Sequence, residues 1–310
     1  MQARDNNDNT LIVIAGPTGI GKTELACRLQ SQFDCAILSA DSRQVYKEMN
    51  IGTAKPGQQV ILQHRISLCD YVSIHDEYNA GIFEKDALKL LDEEYSNKNV
   101  SIVCGGTGMY IKALLDGLDK FPEVELTIKS KWAEIEKAKG LVFLQEQIKK
   151  LDPEYAAVVA LDNPRRLSRA LAVIDQTGKK FSSFLSGKTR KRQFREMLIV
   201  LDIQRSELYK RIEERVDKMM IAGLLEEAEK LYPYKTLKAL DTVGYKEIFA
   251  YMDGKCSLDE AVDQIKAHSR QYAKRQLSWN RKYLPGPRFN PRELDSMRKL
   301  INDHINDKSC

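Results

Sequence analysis

The run Gly16, Pro17, Thr18, Gly19, Ile20, Gly21, Lys22 and Thr23 fits the pattern G-x-x-x-x-G-K-[ST], whose chemistry is the gripping of a polyphosphate. Glycines let backbone N–H groups close around phosphate oxygens, and a following helix N-terminus adds positive potential. Lys22 supplies a point charge, and the Thr23 hydroxyl can ligate Mg²⁺. The motif leaves open whether the phosphate is transferred, hydrolysed or expelled as a leaving group. Asp41 is the next reactive candidate: it can hold Mg²⁺ as a Walker-B-type acid, serve as a general base facing a bound nucleophile, or simply cap a helix. Gly105-Gly106-Thr107-Gly108 is a second close-approach turn. Its threonine can bind phosphate or a base, or the turn can be a plain strand-to-helix connection.

The elements that must position these groups can be read from apolar runs. Residues 11–15 (Leu-Ile-Val-Ile-Ala) form a continuous apolar, β-branched run ending in the glycine-rich loop, as a buried parallel strand feeding a helix over 22–33 would. Residues 35–40 and 100–104 are two more short apolar runs, each delivering a polar or glycine-rich turn at its end. In parallel α/β sheets ligands bind at the carboxyl ends of strands, so these turns should converge. From Phe121 the period becomes helical (127–139, 141–151, 165–176), and residues 122–195 are expected to be a helical insertion between core segments 1–121 and 196–310. A strand at 197–201 and helices near 205–231, 243–252 and 258–283 complete the core, with the last twenty-odd residues a helical or loose appendage.

Composition narrows the classes. No apolar run approaches the roughly 18 residues of a membrane span, and the polar, acid-containing N-terminus reads as a frayed tail rather than a secretory or transit leader. The cysteines at 27, 35, 69, 104, 256 and 310 form no C-x-x-C pair, so reduced and mostly buried thiols are expected. Net charge is only +5, but between Arg165 and Arg195 ten Lys/Arg stand against one acid, Asp175. Such a stretch suits a polyanion.

The run from Ser39 through Pro56 (SADSRQVYKEMNIGTAKP), with the P-loop, resembles the tRNA dimethylallyltransferase family, also called tRNA isopentenyltransferase. The resemblance extends through Gly105–Tyr110 (GGTGMY), Asn163–Leu171 (NPRRLSRAL), Thr242–Glu247 (TVGYKE) and Arg270–Trp279 (RQYAKRQLSW), nearly the whole chain. It implies a P-loop NTPase-like parallel α/β core with a helical tRNA-binding insertion. The implied reaction joins dimethylallyl diphosphate to N6 of the adenosine just 3′ of the anticodon, the P-loop and Mg²⁺ holding the diphosphate. Asp41 then matches the general base, Ser42, Arg43 and Gln44 the tRNA-contacting positions, and Thr18 and Thr107 the site-lining threonines. Arg211 and Arg215 match an R-x-x-x-R segment of which at least one reaches the diphosphate. Arg165, Arg166, Leu167, Ser168 and Arg169 match the R-R-x-x-R tRNA segment, with the basic run 179–195 holding phosphates nearby, and Arg270, Lys274 and Arg275 lie on a basic face of the last long helix. Tyr272 and Trp279 are expected to be packing residues. The chain shows no Cys/His zinc-finger extension of the kind seen in eukaryotic relatives, which implies a bacterial-type, cytoplasmic enzyme, and a monomer is expected because one tRNA must be embraced by two domains of one chain.

This sequence departs from the family pattern at His64-Arg-Ile-Ser-Leu-Cys-Asp70, where paired histidines are usual, at Ala172 for a Glu, and at Asn280 for an aromatic. Residues 11–60 alone would equally suit a small-molecule kinase. An RNA-binding protein with an inactive P-loop is the rival from another class. The basic insertion disfavours the first, and the intact Lys22, Thr23, Asp41 and Thr107 disfavour the second.

Overall fold

A computed structural model describes residues 9–187 and 189–307, so the N-terminal tail, Lys188 and Cys310 lie outside the described residues. The chain divides into two compact units, one comprising the chain to Asp116 and from Arg190 onward, the other Gly117–Thr189. The insertion thus begins five residues earlier than the sequence pattern suggests and ends before Arg195, which opens a strand of the first unit.

In chain order the first unit begins with β1 (Thr10–Ala15), α1 (Lys22–Phe33), β2 (Ile37–Ser39), α2 (Gln58–Gln63) and β3 (Ile66–Ser67). α3 (Ala80–Tyr95), β4 (Val100–Gly105) and α4 (Gly108–Asp116) follow. The second unit holds α5 (Leu126–Leu151), α6 (Pro153–Val158) and α7 (Pro164–Thr177). The chain then returns with β5 (Arg195–Leu201), α8 (Arg205–Ile221), α9 (Leu224–Leu231), α10 (Tyr245–Met252) and α11 (Leu258–Tyr283), and closes with β6 (Arg288–Phe289) and α12 (Leu294–Asn306). The sheet is parallel throughout, in the order β3-β2-β4-β1-β5-β6.

β1 is an unbroken apolar run because both of its faces are covered. Ile12 and Ile14 pack with Leu25 and Leu29 of α1, Ile212 of α8 and Leu277 of α11, while Leu11 and Val13 pack with Phe83 of α3 and Ile111 of α4. The C-terminal residues are no loose appendage: Met297 and Ile301 of α12 are fully buried in the same layer as Ile12. A further cluster in this unit joins the segment around Val45 and Met49 to α8, α9, α10 and α11.

In the second unit, α5 is interrupted at Gly140, whose φ of 72° is non-helical, so the two expected helical segments are distinct within it. Its core is Trp132, Leu144 and Ile148 against Leu167 and Leu171. Asp152 is fully buried, and its carboxylate accepts from the Tyr155 N–H at 3.1 Å and from both the N–H and hydroxyl of Ser182 at 2.7 and 2.8 Å. Those bonds offset the cost of removing the charge from water.

Candidate active site

A cavity of about 690 Å³ opens at the carboxyl ends of β1, β2 and β4, as the strand-end rule requires. The P-loop leaves β1 and enters α1 with Gly19 at φ 80° and Gly21 at φ 102°, conformations that only glycine adopts without strain. Ile20 anchors the loop by burying its side chain completely. Thr18, Lys22 and Thr23 line the cavity. Lys22 Nζ donates to the Pro17 carbonyl at 2.9 Å. Burial pushes the Lys22 ammonium below its ordinary value, Arg215 acts in the same direction, and Asp41 opposes them.

Of the two arginines on α8 matched to the diphosphate, Arg215 faces the cavity. Its Nη1 donates to Thr18 Oγ1 at 2.9 Å and its Nη2 to the Thr53 carbonyl at 3.3 Å. Burial lowers its pKa too, again opposed by Asp41. Arg211 is not among the residues lining the cavity: it donates to the Ile20 carbonyl at 3.4 Å and pairs with Glu207 at 2.7 Å, which makes it a support behind the P-loop.

Asp41 lines the cavity, and its Oδ1 accepts from the N–H groups of Arg43 at 2.9 Å and Gln44 at 3.2 Å. No helix follows Asp41 directly, so the helix-capping role weighed for it is not what the structure has: it closes the turn 42–45 instead, which occupies one oxygen. Ser42 N–H donates to Thr107 Oγ1 at 2.9 Å, and the Thr107 hydroxyl donates to Ser42 Oγ at 3.2 Å, locking the β2 turn to the β4 turn. Gly105 permits this approach: a Cβ there would lie 2.1 Å from the Ala40 carbonyl oxygen.

Several residues matched to tRNA contacts have other work. The Arg43 guanidinium donates to the carbonyls of Lys238, Ala239 and Asp241 at 3.2, 2.7 and 3.1 Å, so it fastens the 238–241 segment. Gln44 lines the cavity with its Nε2 donated to the carbonyls of Thr53 and Ala54, both at 3.1 Å. On α11, Arg270 pairs with Glu213 at 2.5 Å, Lys274 is exposed, and Arg275 lines the cavity with its guanidinium 5.9 Å from the Tyr272 ring centre. Tyr272 is not the packing residue expected: it is 37% exposed and lines the cavity, and burial aided by Asp41 pushes its phenol up to about 12. Trp279 does pack, against Gly108, where a Cβ would come within 2.4 Å of the indole.

In the second unit Arg165, Arg166 and Arg169 are exposed on α7, and Arg169 lies 5.2 Å over the Phe121 ring. Leu167 is fully buried in that unit's core, so its side chain serves packing, and Ser168 donates to Glu136 at 2.7 Å. The end of the basic run is also structural. Arg192 is nearly buried, pairing with Glu84 at 2.8 Å and donating to the Ala113 carbonyl at 2.7 Å; Arg195 donates to the carbonyls of Asp307 and His304. Arg192 is a counter-charge to Glu84 and Arg195 caps the end of α12, both within the first unit.

A family model described as IPP transferase matches residues 44–283. The chain belongs to that family. It is 45% identical over 300 residues to the tRNA dimethylallyltransferase of Christiangramia forsetii, covering 97% of this chain and 98% of that one. It is 43% identical to that of Cytophaga hutchinsonii, covering 94% and 96%. Among solved structures, the full-length tRNA isopentenylpyrophosphate transferase of Bacillus halodurans superposes with a TM-score of 0.72 at 30% identity, covering 97% of this chain and 98% of that one. A eukaryotic dimethylallyltransferase captured acting on tRNA gives 0.82 at 27% identity, covering 96% and 80%. This membership sets aside the small-molecule kinase.

Within the family frame, the departures at 64–70 reach the site only through Ile66, which lines the cavity, while the polar members bond elsewhere. His64 Nδ1 meets Gln30 Oε1 at 2.9 Å, Arg65 pairs with Asp34 at 2.8 Å, and Asp70 accepts from Lys55, whose side chain is only 2% exposed, at 2.9 Å. Two contributors to the site were not singled out by sequence. Gln276 joins Thr18 to Gly106, and Glu227 holds the turn that carries Thr53. The available signal for Gln276 was a buried stripe on α11, Ala273, Gln276, Leu277 and Asn280, in which two amides occupy apolar positions. Asn280, at 4% exposure, has an Nδ2 with no hydrogen-bond partner among the described residues.

Proposed function

We propose that this chain transfers a dimethylallyl group from dimethylallyl diphosphate to N6 of the adenosine 3′ of the anticodon in tRNA, releasing diphosphate. The observation that carries the reading is the meeting of the P-loop and Asp41 on one cavity wall in a chain of this family. The P-loop amides, Lys22 and Arg215 supply the positive charge that a leaving diphosphate needs. As the allylic C–O bond breaks, its electrons pass to the diphosphate and the carbon becomes cationic. The N6 lone pair closes on that carbon, and Asp41 accepts the proton the amine loses. Ser42 and Thr107, locked together, form the acceptor side.

Mg²⁺ fits this site. Among the described residues no three His, Cys, Asp or Glu side chains group to hold a metal, so the ion would rest on Thr23 Oγ1 with diphosphate oxygens and water, the sparse protein coordination Mg²⁺ accepts. It would neutralise charge on the leaving group. The tRNA nucleotide must be extruded to reach a buried carbon, and the exposed Arg165, Arg166 and Arg169 give α7 a phosphate-binding face. A monomer is the state we assign to the enzyme. No helix among the described residues is long and apolar enough to cross a membrane, and a tRNA acceptor supports a cytoplasmic location.

The test is incubation of the purified protein with Mg²⁺, dimethylallyl diphosphate and unmodified tRNA bearing adenines beside the anticodon, followed by mass analysis of digested nucleosides. Isopentenyl-adenosine is the expected product. Bound tRNA without mass gain would overturn the reading in favour of an inactive relative or a different donor.

A further inference from the structure

The acceptor side of the cavity is internally tied: Ser42 to Thr107 by side chain, and the Thr107 N–H to the Ala40 carbonyl at 3.1 Å. The P-loop has left the sheet by this point, since the β1–β4 ladder ends at Ala15 opposite Gly105. Beyond it, one α11 side chain joins the two. Gln276 Oε1 accepts from the Thr18 N–H at 2.9 Å, and Gln276 Nε2 donates to the Gly106 carbonyl at 2.8 Å, with the residue only 7% exposed. Thr18 is held from its other side by Arg215, and Gly106 immediately precedes Thr107.

We propose that Gln276 is a positioning residue for the transfer reaction: its amide sets the separation between the diphosphate-holding loop and the turn that carries the acceptor-side hydroxyls. This rests on the transferase reading above. The residue type follows from the task. One partner is a donor and the other an acceptor, and a primary amide presents an acceptor and a donor in one rigid plane. A carboxylate would keep the Thr18 bond but set oxygen against the Gly106 carbonyl, and an aliphatic side chain would make neither bond. Gly106 is matched to this arrangement. A Cβ there would lie 2.3 Å from Gln276 Nε2, whereas its next contacts are at 3.5 Å and beyond. The Gly106 position is therefore closed to a side chain by the Gln276 amide and by nothing else near it. Reacting atoms misplaced by about 1 Å lose on the order of a hundredfold in rate, so a spacer of this kind should act on turnover more than on binding.

The experiment compares Gln276→Leu, Gly106→Ala and the double variant with wild type in full-length enzyme, measuring kcat, KM for each substrate, tRNA affinity and Tm. Gln276→Leu is expected to lower kcat about 10- to 100-fold, with both KM values and tRNA affinity within about threefold of wild type. Gly106→Ala should reproduce that loss by displacing the amide. The double variant should be no worse than Gln276→Leu alone, because the leucine leaves the alanine room. Wild-type kcat in Gln276→Leu, additive losses in the double variant, or a loss confined to the KM for the donor would each overturn the proposal. If Gln276→Leu does not fold, Gln276→Glu, equal in size and retaining the Thr18 bond, decides by the same kcat criterion. Product from the wild type beside an unaffected variant sinks this inference alone; no product from the wild type sinks the transferase reading.

Discussion

Glu227 on α9 accepts four hydrogen bonds with one carboxylate. Its Oε2 takes the N–H groups of Asn50 and Ile51 at 3.1 and 2.8 Å, and its Oε1 takes the Gly52 N–H at 2.9 Å and the Tyr245 hydroxyl at 2.7 Å. Tyr245 is fully buried with its ring against Gly52, and burial together with the Glu227 charge pushes its phenol far above the ordinary value. The turn held this way carries Thr53, whose carbonyl accepts from both Arg215 and Gln44. Glu227→Gln changes one oxygen to NH₂ without changing shape. The remaining oxygen can serve only one pair of donors. If it keeps Asn50 and Ile51, the new amide group faces the Gly52 N–H, and Tyr245 can turn to accept. Three bonds to a charge become bonds between neutral groups, losing about 1 kcal/mol each, and the orphaned N–H costs about 1–3 kcal/mol more, a total of about 4–6 kcal/mol. At roughly 2–4 °C per kcal/mol for a unit of this size, Tm should fall by about 10 °C. Thermal unfolding followed by circular dichroism measures this directly, and kcat should fall with it, because Arg215 loses a fixed acceptor. A Tm within about 2 °C of wild type, with kcat unchanged, would refute the role assigned to the Glu227 charge.

Four further outcomes are expected. Asp41→Asn keeps the Oδ1 cap on Arg43 and Gln44 but removes the base, so turnover should drop at least about a hundredfold with tRNA affinity intact; undiminished turnover takes Asp41 out of that role. Arg165→Ala with Arg166→Ala should weaken tRNA binding and flatten the plot of log affinity against log salt by about one to two; an unchanged slope would place the tRNA contact elsewhere. Because burial holds the Lys22 pKa below its ordinary value, a bound diphosphate should raise it. Binding then takes up protons, and affinity declines as pH rises past the depressed pKa toward the ordinary 10.5; calorimetry in buffers of different ionisation enthalpy should show uptake growing with pH, and heats independent of buffer across the whole alkaline range would count against it. Asn280→Leu removes a buried unpaired donor and should stabilise the protein by about 1–2 kcal/mol in urea unfolding; destabilisation would mean that the Nδ2 has a partner such as a bound water.

What could be read in the sequence was whatever a short segment determines by itself. The apolar run of β1, the glycines of the P-loop and the start of α1 fall where the pattern puts them, because strand burial on both faces and left-handed glycines are local requirements. The two-residue strands β3 and β6 have no pattern of their own and exist only by pairing with β2 and β5. α12 looked peripheral because only Met297 and Ile301 in it are fully buried, and their depth depends on the layer that receives them. Partners were harder still. Arg43, Leu167, Arg192 and Arg195 have the types and neighbourhoods of tRNA contacts, yet a guanidinium facing three carbonyls and a leucine in a helical core are products of tertiary placement. Residue type states what a side chain can bond to; only the fold states what stands within reach.

The charge layout of the cavity follows from the same placement. Lys22 and Arg215 stand on the P-loop side, both with their charged forms disfavoured by burial. Cys104 opposes this at Lys22, and Asp41, just beyond the end of β2, opposes it in both cases. Arg43 lines the cavity as well, but its guanidinium donates to three backbone carbonyls rather than to Asp41. On the proposed reaction, negative charge grows on the diphosphate beside Lys22 and Arg215 while positive charge passes through the allylic carbon to the amine beside Asp41. A field arranged in advance along that direction stabilises the charge-separated transition state more than the neutral amine of the ground state. The carbonyl clamp on Arg43, matched by sequence to RNA, thereby preserves the negative end of the field on which the chemistry depends.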